Sequence, residues 1–279
     1  MKQIREQVLT GERAAYASKD TEFINCIFED GESPIKESAN IKVLNCDFKW
    51  KYPLWYCKNV EVVGSTWHTM GRSGIWYTDG ISIRDSLVGA PKQFRRSKNI
   101  TIMDSTFPEA SETMWSCENI SMKNVYIKGD YFGMNSTNIA LDNVVIDGNY
   151  CFDGAKNIVA KNCTFNSKDS FWNCENVLIS DSKIVGEYLS WNSKSITFVN
   201  CELESEQGLC YMENVKLINC KVNNTNLAFE FCKDIDADII TKIDSIKNPI
   251  SGVIRCKGYD ELILDEEFII PSNTKIEVK

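Results

Sequence analysis

Short alternations of apolar and polar residues return along this chain at a fixed interval, each preceded by a small polar residue. Taking that residue as an anchor gives Asp20, Asn40, Asn59, Gly80, Asn99, Asn119, Asn138, Asn157, Asn176, Ser195, Asn214 and Asp234, spaced nineteen to twenty-one residues apart and most often nineteen. The position after the anchor is Ile or Val in every repeat from Asn40 onward, and the position three after it is mostly apolar, as in Val62, Ile102 and Phe198. Successive side chains of a strand point to opposite faces, so the alternation predicts a strand with one face buried. Five past the anchor stands Asn, Asp or Gly, among them Asn45, Gly64, Asp104, Asn124 and Asn200. These residues accept the left-handed conformation or make local side-chain turns, which predicts a bend. A small residue and then a large apolar one follow, as in Cys46 and Phe48 or Cys163 and Phe165, and restart the inward alternation.

One such repeat cannot bury its apolar face alone and must stack on a copy of itself. The predicted fold is all-β: a single-stranded, right-handed parallel β-helix with coils of about 19 residues, the hand following from the preference of parallel crossovers. No linker or low-complexity tract interrupts the repeat, which predicts one domain over 1–279. Within it, 1–19 is expected to cap the first coil, 20–238 to form regular coils, and 239–279 to form irregular coils and a second cap. There the period fails, and Asp260, Glu261, Asp265, Glu266 and Glu267 would blunt an open sheet edge by like-charge repulsion.

Composition narrows the chemistry. A net charge of -8 disfavours non-specific nucleic-acid binding. The start, "MKQIREQVLTGERAAY", has no apolar signal core, and no segment approaches the eighteen or so consecutive apolar residues of a membrane span. A cytoplasmic protein without a membrane partner is therefore expected. Twelve cysteines in a chain of 279 residues without an export signal predict reduced thiols. There is no CxxC pair and His68 is the sole histidine, so neither a metal nor another cofactor is expected. Most of the cysteines fall in two columns. Two before the anchor stand Cys57, Cys117, Cys174 and Cys232, and six past it Cys26, Cys46, Cys163, Cys201 and Cys220. Both read as small apolar packing positions at inward turns.

The column four before the anchor breaks the structural rule: Trp55, Trp76, Arg95, Trp115, Met134, Asp153, Trp172, Trp191, Cys210 and Glu230. Unpaired buried charges are costly, so this column is expected to face outward or line a groove. The next position adds Tyr56, Tyr77, Arg96, Asn135, Asn173, Asn192 and Tyr211, while "GDYF", "GNYC" and "GEYL" bring Asp130, Asn149, Glu187 and three tyrosines, Tyr131, Tyr150 and Tyr188, towards the same side. Aromatic faces among carboxylates and amides suit sugars. The candidate carbohydrate contacts are Trp55, Trp76, Arg96, Trp115, Asn135, Tyr150, Trp172, Trp191 and Tyr211. The same tryptophans also read as a ladder that stiffens the sheet, with Arg95 held between Trp76 and Trp115 by cation–π attraction. Both readings stay open at this point.

If the chain is an enzyme, glycoside hydrolysis calls for two carboxyl groups across a scissile bond, and Asp130 with Asp153 are the first candidates, Glu187 and Glu112 the reserves. A polysaccharide lyase or sugar isomerase would set a base beside a cation, for which Arg95 or Arg96 is placed. The rival reading is a non-enzymatic scaffold whose long faces bind a protein partner. The sequence leaves the oligomeric state open.

The chain resembles a bacterial family of uncharacterised single-domain parallel β-helix proteins, related in shape to the pectin-lyase-like superfold. The likeness extends over nearly the whole chain and rests on "DGESPIKES" (30–38), "WKYPLWYCKN" (50–59), "GIWYTDGISIRDSL" (74–87), "APKQFRR" (90–96), "GDYFGMNS" (129–136), "FWNCEN" (171–176) and "KNPISG" (247–252). The resemblance implies the fold and brings no activity with it. The Asp-Asp and Gly-His-Gly signatures of polygalacturonase-like enzymes are missing. Of the Arg-x-Pro-x-x-Arg motif of pectate lyases only Pro91 remains, with Gly89 and Phe94 at the arginine positions.

Overall fold

A computed structural model describes all 279 residues. Apart from one 3-10 turn, Pro271–Asn273, every regular element is a β-strand, and every pairing between strands is parallel. The protein is an all-β parallel solenoid with coils of about 19 residues. It is described in two units, Met1–Ala140 and Leu141–Lys279.

In the first unit, each coil carries a longer strand, a bend and a short strand: Ala39–Leu44 with Asp47–Phe48, Lys58–Val63 with Thr66–Trp67, Asp79–Arg84 with Leu87–Val88. In Lys98–Phe107 and Glu118–Lys128 the strand runs on through the bend. Equivalent residues pair in register, so Ile41, Val60, Ile81, Ile100 and Ile120 form one buried file. Across the interior from it, Phe28 stacks on Phe48 at 4.9 Å, and Phe48 meets Trp67 at 4.6 Å. Regular pairing begins at Lys2, not at Asp20: Lys2–Arg5 pairs with the strand Lys19–Ile24 and Val8–Leu9 with Ile27–Phe28, so the N-terminal segment is itself a coil.

The second unit repeats the pattern. Lys156–Lys161, Glu175–Ser180, Lys194–Val199, Glu213–Asn223 and Lys233–Ile239 stack on one another, in register except for a shift between Leu217 and Cys220 in the last pair, and Ile158, Val177, Ile196, Val215 and Ile235 form the buried file. Beyond them Gly252–Cys256 and Thr274–Val278 add two further rungs at uneven spacing. The interior is filled by Phe152, Phe165 and Phe171, with Phe165 and Phe171 in edge contact at 5.0 Å.

Left-handed backbone is far more widespread than the single predicted bend. The bend residues adopt it, as in Asp104 (φ 48°) and Asn124 (φ 53°), but so do the anchors Asn99 (φ 53°) and Asn119 (φ 57°). The return arc alternates in and out of it, through Lys92, Phe94 and Arg96 in one coil and Glu112, Met114 and Ser116 in the next. Such a conformation costs an L-residue roughly 1–2 kcal/mol. It persists because it aims each N–H at a neighbouring coil: Lys92 N–H donates to the Ser111 carbonyl at 2.9 Å, Met114 N–H to Gln93 at 2.9 Å, and Arg96 N–H to Trp115 at 3.0 Å. At the anchors the side chains add a ladder. Asn119 Nδ2 donates to Asn99 Oδ1 at 3.0 Å, and Asn138 Nδ2 to Asn119 Oδ1 at 2.9 Å.

The two small-residue columns are polar joints as well as packing positions. Ser97 Oγ accepts the Thr78 N–H at 3.2 Å and donates to the Ile75 carbonyl at 3.0 Å. Ser193 Oγ accepts the Cys174 N–H at 2.9 Å and donates to Phe171 at 2.7 Å. Thiols do the same work: Cys46 Sγ accepts the Cys26 N–H at 3.3 Å, and the Cys174 thiol donates to the Phe152 carbonyl at 3.0 Å. Cys, Ser and Thr interchange because each is small and carries one atom that both accepts and donates. Burial pushes the thiols of Cys57 and Cys117 up to about 12 and raises that of Cys174 further, which suits joints rather than nucleophiles.

Replacing Asn119 tests the corner directly. Asn119→Ala loses both ladder bonds and puts a Cβ without compensation at positive φ, for a destabilisation of about 2 kcal/mol. Asn119→Gly relieves the backbone part, so its urea midpoint is expected between wild type and Ala with an unchanged m-value.

Candidate functional site

The column four before the anchor exists as a vertical file in each unit. In the first unit Trp55 stacks on Trp76 at 5.0 Å and 7°, and Arg95 continues the stack with its guanidinium carbon 4.6 Å from Trp76 and 4.7 Å from Trp115. Backbone bridges join Trp76 to Arg95 and Arg95 to Trp115. Beside it Tyr56 stacks on Tyr77 at 4.7 Å, and Arg96 and Asn135 occupy the same column, both exposed and both at positive φ. Each indole is pinned by its N–H. Trp55 donates to the Ser73 carbonyl, Trp76 to Lys92 at 2.9 Å and Trp115 to Tyr131 at 2.6 Å. Glu112 pairs with Lys92 at 3.1 Å and lies 4.0 Å from Arg95, while Asp130 is exposed and its carbonyl receives the Glu112 N–H.

The ladder is therefore present, and it limits what the tryptophans can do for a ligand. An indole with a neighbour on its face offers a sugar its edge and not that face.

In the second unit Trp172 stacks on Trp191 at 5.6 Å and 9°, their N–H groups donating to Tyr188 at 2.6 Å and Gln207 at 2.9 Å, and Tyr211 meets Trp191 edge-on at 5.3 Å. Asp153 begins this file, accepting a bond from Asn173 Nδ2 at 2.8 Å, and Asn192 donates to Asn173 at 2.8 Å. Glu230 ends it as a structural charge: it is 4% exposed, with Lys247 Nζ at 2.8 Å and Gln207 Nε2 at 3.1 Å. That pairing raises the Lys247 ammonium above its ordinary range.

The arc beside Trp172 gathers the densest chemistry. Tyr150, Asp169 and Tyr188 lie on successive coils at one offset, all at positive φ. Asp169 is only 7% exposed. Burial holds its carboxyl above the usual carboxylate range, the Tyr150 hydrogen bond pulls it back, and the charge of Glu187 raises it again. Glu187 sits on the next coil, its carbonyl receiving the Asp169 N–H at 2.9 Å and its carboxylate meeting Lys168 Nζ at 2.7 Å. Asn149 accepts the Lys168 N–H at 3.2 Å, and Tyr150 meets Trp172 edge-on at 6.3 Å. Gly186 permits this spacing, since a Cβ there would stand 2.0 Å from the Ser167 carbonyl oxygen. One nearly buried carboxyl with a raised pKa beside a second paired with a lysine is an arrangement suited to acid–base chemistry.

Of the residues singled out in the sequence, the structure brings Tyr150, Glu187 and Trp172 around one arc of the second unit, with Asp153 and Trp191 in the adjoining file. Trp55, Trp76, Arg95, Arg96, Trp115, Asn135 and Asp130 belong to the first unit, and Tyr211 stands further along the second unit's file. Asp169 was missed. Its signal was a lone acid in "SKDS" where the two flanking coils place tyrosine, visible only once that offset is read as a column.

A family model described as "Protein of unknown function (DUF3737)" matches residues 2–277. The chain belongs to the DUF3737 family. A search of curated proteins finds no match to this DUF3737 chain. Among solved structures it is similar to PfbA, a surface adhesin of Streptococcus pneumoniae, with a TM-score of 0.48 and 11% identity, over 88% of this chain and 81% of that one. It is also similar to the A-module of the Azotobacter vinelandii mannuronan C-5 epimerase AlgE4, with a TM-score of 0.31 and 8% identity, over 99% and 87% of the two chains. At these scores and identities the likenesses carry no argument about what the DUF3737 chain binds or does. No helix is long and apolar enough to cross a membrane.

The raised carboxyl of Asp169 has a stability signature. A carboxyl whose folded pKa lies above its unfolded value binds more protons when folded, so its contribution is complete below the unfolded value near 3.9 and is lost as pH rises through the folded one. Asp169→Asn is expected to be more stable than wild type at neutral pH, with the difference fading at acid pH in urea titrations.

Proposed function

We propose that the DUF3737 solenoid binds carbohydrate along the arc of its second unit and acts there on a glycosidic bond, with Asp169 as proton donor and the Lys168-paired Glu187 as its partner. One observation carries the reading: a nearly buried Asp169 whose pKa burial raises, hydrogen-bonded by Tyr150 and next to the Lys168-paired Glu187. Glycoside hydrolysis needs two carboxyl groups whose surroundings differ, one less exposed than the other. The proposal moves the acid–base role from Asp130 and Asp153 because burial acts on Asp169. Asp153, Asn173 and Asn192 form a hydrogen-bonding rail for sugar hydroxyls, and Tyr150, Trp172, Trp191 and Tyr211 supply aromatic edges beside it.

The second reading, a scaffold that binds a protein partner, is favoured by the ladder itself, whose stacked indole faces are closed to a ligand.

The full-length chain should retain a subset of oligosaccharides on a glycan array. On a retained glycan that is turned over, Asp169→Asn and Glu187→Gln should each lower kcat about 10²–10⁴-fold while binding persists. Retention of no glycan would discard the carbohydrate reading in favour of the scaffold. Turnover unaffected by both substitutions would discard the assigned pair.

A further inference from the structure

Glu230 occupies the position at which earlier coils place Trp172 and Trp191, and it is buried. A buried ion pair costs desolvation that an apolar side chain there would avoid, so the stack does not ask for this carboxylate. Lys247 Nζ meets one of its oxygens at 2.8 Å, and Gln207 Nε2 donates to the other at 3.1 Å. Gln207 continues the file of Tyr150, Asp169 and Tyr188. The Asp169 N–H donates to the Glu187 carbonyl and the Tyr188 N–H to the Glu206 carbonyl, both at 2.9 Å, and Glu187 pairs with Glu206 in register, which sets Asp169, Tyr188 and Gln207 on successive coils. The Gln207 backbone is fixed as well: its N–H donates to Asn226 Oδ1 at 2.7 Å, and its carbonyl accepts the Trp191 indole N–H at 2.9 Å.

A carboxylate offers only acceptors, and an ammonium at 2.8 Å holds Glu230 to that role. The Gln207 amide must therefore turn Nε2 towards it, because a flipped amide would set oxygen against oxygen. Oε1 is left as an acceptor that no protein donor fills, on a half-buried side chain. We propose that Gln207 sets specificity in the second-unit arc by accepting a free hydroxyl of the oligosaccharide at Oε1, with Glu230 and Lys247 as the positioning pair that keeps it an acceptor. The assignment rests on the carbohydrate reading above. Two rungs of about 4.8 Å separate Gln207 from Asp169, so the hydroxyl belongs to a sugar unit beyond the one held at Asp169. A site built to pair with a hydroxyl rejects the analogue that lacks it, so a sugar deoxygenated at that place is selected against.

The test takes an oligosaccharide that the full-length wild-type chain retains on a glycan array and measures its binding, and that of its monodeoxy analogues, by titration calorimetry. Gln207→Met, of similar shape but without an acceptor, should weaken the parent glycan about tenfold. One monodeoxy analogue should bind wild type and variant equally. Glu230→Gln supplies an amide that can donate to Gln207 Oε1 and so takes that acceptor from the ligand; it should reproduce the loss although Glu230 touches no sugar. Binding unchanged by either substitution, or a loss that every monodeoxy analogue shares, would overturn the assignment and leave the carbohydrate reading standing. Retention of no glycan by the wild-type chain would overturn both.

Discussion

The structure depends on hydrogen bonds between coils at residues whose backbone would not choose its conformation alone. Lys92, Phe94 and Arg96 alternate through positive φ within a few residues, and Glu112, Met114 and Ser116 do so one coil later. In isolation such an arc would open. Stacked in register, left-handed residues point N–H groups at neighbouring carbonyls, and breaking the stack would leave those groups unmatched, at about 1–3 kcal/mol for each one buried. The corner residues therefore act on the register of the whole stack as much as on the local turn.

This constraint separates the side chains into those that serve the stack and those free to serve something else. Asn at the anchor, Cys, Ser or Thr at the joints, and Ile or Val in the buried file all satisfy the neighbouring coil. The Trp file belongs with them: its indoles stack on one another and donate their N–H groups to arc carbonyls. Arg95 replaces a ring at the cost of a charge, and the rings on either side together with Glu112 compensate it. Asp169 differs. Nothing in the stack requires a carboxyl at an offset that Tyr150 and Tyr188 fill with aromatic rings, and its burial works against its charge.

Most of the fold was legible because the period is short and the same physical demand recurs in each coil. Within each unit the buried file, Ile41 to Ile120 in the first and Ile158 to Ile235 in the second, could be aligned by eye, and there alignment is equivalent to stacking. The return arc was not legible: Phe94, Met114 and Phe171 are poor indicators of left-handed backbone, and only the neighbouring coil makes them adopt it. The thiol columns were legible as small positions but not as hydrogen-bonding joints, since composition does not distinguish a packed sulfur from one that accepts an N–H. The candidate site was half legible. Tyr150, Glu187 and Trp172 announced themselves as departures from the apolar pattern, whereas Asp169 passed as an ordinary loop acid until burial was known.

The interchange of Cys with Ser along one column shows how little the stack asks of a joint. At an isolated joint either residue satisfies the backbone, so neither choice changes the fold. At Asp169 the choice does matter: a candidate site arises where a repeat already fixes the distances and one coil departs from the residue type that its neighbours place there.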